Sequence, residues 1–149
     1  MLAVVLSFAL PCIASAAEDA AATALLARVN SARAQAKLPP LALNVRLAEA
    51  AQAHAEDMAA MGRLSHEGSD GAALDVRLAR AGYRYRFAAE NVAAGLVDPA
   101  RTVEQWMASP GHRRNILARE ASEAGIGYVE PPQGAPYRAY WVLILARPL

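Results

Sequence analysis

Two of the chain's three histidines, His66 and His112, sit in turns beside glycine and serine or proline, where a backbone on a rigid scaffold presents side chains into a cleft. A third candidate is Glu90 in the segment AAENVAAG, a lone carboxylate among small and apolar neighbours that is costly to bury without a partner. Two imidazoles and one carboxylate are the set of a three-ligand zinc site with an open position, or of an acid–base pair in a polar cavity. The same residues also suit a structural hydrogen-bond network, and spacing alone does not decide between these. His54 is set apart, because it falls on the stripe Leu47, Ala51, His54, Met58 and Met61, where a histidine packs in a core. The chain has no His-Glu-x-x-His, no Gly-x-Ser-x-Gly, no P-loop and no dinucleotide-binding glycine motif.

These side chains must be placed by helices and strands that the apolar pattern foretells. Residues 18–37 are rich in alanine, with Leu25, Leu26, Val29 and Ala32 on one helical face, and Leu38-Pro39-Pro40 ends the run. Asn44 caps a second helix that runs to Met61 and stops at Gly62. A turn-rich segment leads to a short helix over 73–81, and then YRYRF places Tyr83, Tyr85 and Phe87 on one face of a strand, with Arg84 and Arg86 on the other. Asp98-Pro99 opens a helix through Val103, Trp106 and Met107, and RRNIL adds a helical turn. Residues 125–129 and 139–146 read as two paired strands around the loop PPQGAP. The nearly all-apolar stretch from Trp141 to Leu145 predicts a strand buried on both faces, with helices on each side of the sheet.

A chain of 149 residues with 55% apolar and 19% charged residues builds one cored domain. Its net charge of +1 and single aromatic–basic patch exclude nucleic acid as a partner. The first 17 residues, MLAVVLSFALPCIASAA, form an uncharged apolar run, broken by Pro11 and closed by small residues in an Ala-x-Ala pattern. The expectation is a signal peptide over residues 1–16, a domain over 17–149, and a monomer secreted to the periplasm or beyond. A spanning helix needs roughly 20 apolar residues, and this run falls short. Cys12, the only cysteine, lies within the leader, so no disulfide is expected, and Leu10-Pro11 before it do not suit a lipid anchor.

The segments LLARVNSARAQAKLPPLALNVRLAEAAQAHAEDMA, LSHEG, AENVAAG, VEQWMASPGHRRNIL, GIGYV and YWVLILA occur in the order of the CAP domain. The chain thus resembles the superfamily of cysteine-rich secretory proteins, antigen 5 and pathogenesis-related proteins, in its cysteine-free secreted bacterial branch. The resemblance implies an α+β fold, an α-β-α sandwich with an antiparallel sheet between helical layers. It also implies a cleft lined by two histidines and two glutamates, of which His66, Glu90 and His112 match three. Ser109 stands where animal and plant members carry the second glutamate, and Glu104 lies nearby on the same helix. Alongside, Asn91 ties down a loop, Trp106 fills the core under the cleft, and Pro110-Gly111 shape the turn that aims His112. Arg113 and Arg114 read as solvated surface.

The expected function is non-catalytic binding in a cleft of His66, Glu90, His112, Asn91 and Ser109, with His66 and His112 as ligands to a divalent metal such as zinc. The expected ligand is a lipid or a cell-envelope polymer. One alternative is a metal-dependent hydrolase in which Glu90 is the general base. Another is a cell-envelope interaction module that uses the outer face.

Overall fold

In chain order the elements are α1 (Ala16–Gln35), β1 (Ala42–Leu43), α2 (Val45–Met61), α3 (Leu74–Arg80), β2 (Tyr85–Ala94), α4 (Pro99–Ala108), α5 (Pro110–Ile116), β3 (Glu123–Val129) and β4 (Tyr140–Pro148). This computed structural model describes residues 16–149, so the expected leader lies outside the described residues except for Ala16, the first residue of α1. Asn44 caps α2 by accepting from the Arg46 and Leu47 amides, and Gly62 closes it at φ 65°, a left-handed conformation that suits a residue without Cβ. Asp98 caps α4 through the Ala100 amide, with Pro99 in the first turn.

The sheet runs β1-β3-β4-β2. β3 and β2 flank β4 antiparallel, as the expected sheet requires, and the two-residue β1 joins β3 in parallel at the edge. β4 alternates between two cores. Trp141, Leu143 and Leu145 pack with α1, α4 and α5, whereas Tyr140, Val142 and Ile144 pack with α2 and α3. A strand so divided has no solvated face, which explains its unbroken apolar run. Helix α2 lies directly on β3. A Cβ at Gly125 would stand 2.1 Å from the Leu47 carbonyl carbon, and one at Gly127 would stand 2.3 Å from the Ala51 oxygen, so only glycine admits the helix at this depth.

Strand β2 corrects one expectation. The register with β4 shifts between Tyr85 and Phe87, and a bulged strand reverses which face its side chains take. Tyr83 and Tyr85 therefore join the α2 core, whereas Phe87 joins the α1 core instead of sharing their face.

Arg33 completes the α1 layer. Its side chain is fully buried, and it donates to the carbonyls of Pro39 (2.9 Å), Ile116 (2.8 Å), Ala118 (2.9 Å) and Ala121 (3.2 Å). One guanidinium thereby ties the turn after α5 to the first helix.

Candidate functional site

The site is built on β2, the strand at one edge of the sheet. Glu90 pairs with Ile144 and so faces the α2–α3 side, while Asn91 pairs with Leu143 and faces the α5 side. Successive residues of one strand thus reach to both helical layers. The bulge upstream sets this parity.

On the α2–α3 side, Glu90 is 7% exposed and fully engaged. Its Oε1 accepts from His66 Nδ1 at 2.9 Å and from Arg77 Nη2 at 3.1 Å, and its Oε2 accepts from Arg77 Nη1 at 2.8 Å. Arg77 also donates to the His66 carbonyl at 3.0 Å, so α3 fixes both the carboxylate and the backbone of the histidine bound to it. Burial pushes the Glu90 carboxyl up, but hydrogen bonds from His66 and Arg77, together with the Arg77 charge, outweigh it and hold the group below the usual carboxylate range. The bond to Glu90 raises His66 above an ordinary imidazole, against its partial burial. Because a carboxylate only accepts, Nδ1 carries the proton and Nε2 is the nitrogen left for a ligand.

His54 plays the core role expected of it and adds a positioning one. It is 1% exposed, its Nε2 donates to the Ser65 carbonyl at 2.9 Å, and burial followed by the Arg77 charge keeps its pKa low. The neighbour of His66 is held from below by a second, neutral imidazole.

On the α5 side three side chains form one network. Asn115 donates to the Glu90 carbonyl at 3.2 Å and to Asn91 Oδ1 at 2.8 Å, and Asn91 in turn donates to the His112 carbonyl at 3.1 Å. Trp106, 1% exposed, donates from its indole to the Val92 carbonyl at 3.2 Å and lies 6.4 Å from the His112 ring, centroid to centroid. Asn91 and Trp106 thus fasten α5 and α4 to β2. Burial lowers the His112 pKa, and the His66 charge lowers it further.

Ser109 occupies the position before α5, and its side chain makes no cap bond. Glu104 is exposed on α4, whose buried face is Thr102, Val103 and Trp106, so no second carboxylate enters in place of the family's glutamate. Sequence reasoning passed over Arg77 and Asn115. A signal for Arg77 existed, since it falls at helical spacing among Leu74, Leu78 and Ala81, where a cation asks for a buried counterion.

The donor set bears on metal. His66 has the arrangement of a metal ligand, one ring nitrogen held by a carboxylate and the other left over. Glu90, however, is committed to Arg77. Among the described residues no group of three or more His, Cys, Asp or Glu side chains is gathered to hold a metal ion. With Glu90 taken up by Arg77, His66 Nε2 is the ring nitrogen of this cluster that remains open to a ligand.

A three-layer α-β-α sandwich with the His66–Glu90–Arg77 cluster on its edge strand defines the class of protein. The model of the cysteine-rich secretory protein family, CAP, matches residues 26–145, and the chain belongs to that family. It is 35% identical over 102 residues to the Bacillus subtilis protein YkwD, covering 68% of this chain and 39% of YkwD. It is 32% identical over 103 residues to the Bacillus subtilis membrane protein YlbC, covering 69% of this chain and 30% of YlbC. The chain thus spans well under half the length of these relatives. A Bacillus anthracis extracellular protein containing an SCP domain superposes with a TM-score of 0.78 at 26% identity, over 87% of this chain and 41% of that one. Among the described residues no helix is long and apolar enough to cross a membrane.

Proposed function

We propose that this chain is an exported binding protein whose cleft grips its ligand with His66 Nε2 and the His112 ring, and that no proton transfer at Glu90 is involved. The observation that carries this reading is the closure of Glu90, whose two oxygens take three hydrogen bonds from Arg77 and His66. A carboxylate held below its ordinary range and paired with a buried guanidinium is a weak general base, because catalysis near neutral pH favours a base with a pKa close to the working pH. What the carboxylate does instead is orient His66. A divalent metal such as zinc would be held by His66 and His112, with oxygen atoms of the ligand completing its coordination and the metal supplying charge to fix that ligand. Export is supported by the apolar leader and by the extracellular Bacillus anthracis neighbour. Lipid or envelope polymer is the ligand class in keeping with that location.

The test is calorimetric titration of zinc into the metal-free protein, with His66→Ala/His112→Ala as control. Saturable binding that vanishes in the double variant and persists in Glu90→Gln is the expected result. Binding that survives removal of both imidazoles overturns the site. Zinc-dependent turnover of an ester or amide substrate that is lost in Glu90→Gln, with zinc still bound, overturns the non-catalytic reading.

A further inference from the structure

One end of the sheet gathers exposed positive charge from strands far apart in sequence. β2 begins there with Arg84 and Arg86, and β4 ends there at Arg147, which stands opposite Phe87 in the register. β3 starts at the same end, since Glu123 pairs with Ala146 and the Ser122 amide donates to the Ala146 carbonyl, and this brings the preceding Arg119 close. β1 runs parallel to the start of β3, so Leu43, Val45 and Arg46, at the entry to α2, complete the group. We propose that this end of the molecule docks on a lipid membrane whose headgroups carry net negative charge, at a surface apart from the His66–His112 cleft.

Charge is the first ground. All five arginines are exposed, and among the described residues none of them is in an ion pair. Against them stand Glu120 and Glu123, the latter held by the Tyr83 hydroxyl at 2.6 Å and the Asn44 amide at 3.1 Å. The whole chain balances 15 basic residues against 14 acidic ones, so this excess is offset elsewhere. Part of the offset is visible between α1 and α2, where Asp19, Glu49 and Glu56 line one hollow. A net charge of +1 therefore conceals a polarised molecule. A planar anionic surface attracts the arginine end and repels the rest, which sets the orientation of docking.

The second ground is apolar. Leu43 and Val45, 64% and 68% exposed, are the two most exposed large apolar side chains among the described residues. They flank Asn44, whose bonds to the Arg46 and Leu47 amides fix the turn that carries them. A single apolar side chain on a surface needs no explanation, but a pair set among arginines matches a membrane interface. There the apolar groups enter the headgroup layer while guanidiniums meet phosphates. A hollow of about 340 Å³ lined by Val45, Arg46 and Arg84 has room for a headgroup. The apolar pair also separates lipid from a soluble polyanion, for which charge alone would serve.

The experiment is co-sedimentation of the protein with vesicles of phosphatidylcholine alone or with one third phosphatidylglycerol. Binding is expected only to the anionic vesicles and is expected to fall as salt is raised. Each arginine near such a surface is worth about fivefold, so Arg84→Gln/Arg86→Gln/Arg147→Gln is expected to weaken binding about a hundredfold. Leu43→Ser/Val45→Ser, which leaves every charge in place, is expected to weaken it about tenfold. All five positions are exposed, and circular dichroism verifies that the variants fold. Arg101→Gln/Arg138→Gln, at the opposite end of the sheet, is expected to bind as wild type, as is His66→Ala/His112→Ala. Absence of binding to anionic vesicles, or equal binding to phosphatidylcholine, overturns the proposal. Equal loss in the Arg101/Arg138 variant overturns the location. Unchanged binding by Leu43→Ser/Val45→Ser, with competition by soluble polyphosphate as strong as by vesicles, overturns lipid in favour of a polyanion.

Discussion

Replacing Arg77 with methionine keeps the length and apolar stem of the side chain and removes the one guanidinium that, among the described residues, touches Glu90. The side chains of the pair are 10% and 3% exposed, so water does not screen the interaction or step in for the lost partner. Breaking a buried pair from one side costs about 3–5 kcal/mol, because an uncompensated charge is left behind. With a urea dependence of about 2 kcal/mol per molar for a small domain, the unfolding midpoint drops by about 2 M. Removing both charges together, in Arg77→Met/Glu90→Leu, is expected to recover most of that loss, since a well-packed apolar pair replaces a buried ion pair at little net cost. The pH dependence gives an independent reading. The folded-state pKa of Glu90 lies below the ordinary glutamate value of about 4.5, so its stabilisation is present above that pH and lost as pH falls through the folded value. That acid-side loss disappears in the double variant. Chemical denaturation of the four proteins of the cycle at several pH values measures all of this. A cost below about 1 kcal/mol for Arg77→Met, or additive single and double variants, refutes the view that Arg77 holds the Glu90 charge.

Three further outcomes follow from the same geometry. His66 has a raised pKa from its bond to Glu90, so its contribution is full below about pH 6.5 and fades as pH rises through the folded value; denaturation midpoints of wild type and His66→Ala are expected to converge on the alkaline side. Asn115→Ala orphans Asn91 Oδ1 and releases the Glu90 carbonyl, and is expected to cost about 1–3 kcal/mol by thermal melting and to broaden the His112 ring resonances. Gly127→Ala drives a Cβ against the backbone of α2 at Ala51, and is expected to cost about 3 kcal/mol or to prevent folding, read by circular dichroism, whereas Gly134→Ala, in open space, serves as a control for strain at positive φ alone.

Much of the frame was legible because local chemistry and tertiary demand coincide there. Asn44 and Gly62 bound α2, Asp98-Pro99 opens α4, and the apolar run of β4 could only be a strand with helices on both sides. His66 and Glu90 were singled out as candidates, and they meet. What escaped depends on partners remote in sequence. The bulge that moves Phe87 to the other core is a matter of register with β4, which no window of residues 83–87 contains. Arg33 and Arg77 each fall beside apolar helical positions, but the four carbonyls around one and the carboxylate beside the other lie on remote segments. Glu90 read as a free acid because its counterion lies 13 residues earlier on a different element.

The bonds from Trp106 to Val92 and from Asn115 to Glu90 fall on alternate carbonyls of β2, the strand that ends the sheet. Left open, such a row would template another chain, and the usual remedies are charge, proline or a covering segment. Here the cover is the α4–α5 hairpin, fastened by Trp106 and Asn115. Substitutions that loosen Trp106 or Asn115 would therefore also unseal the edge of the sheet.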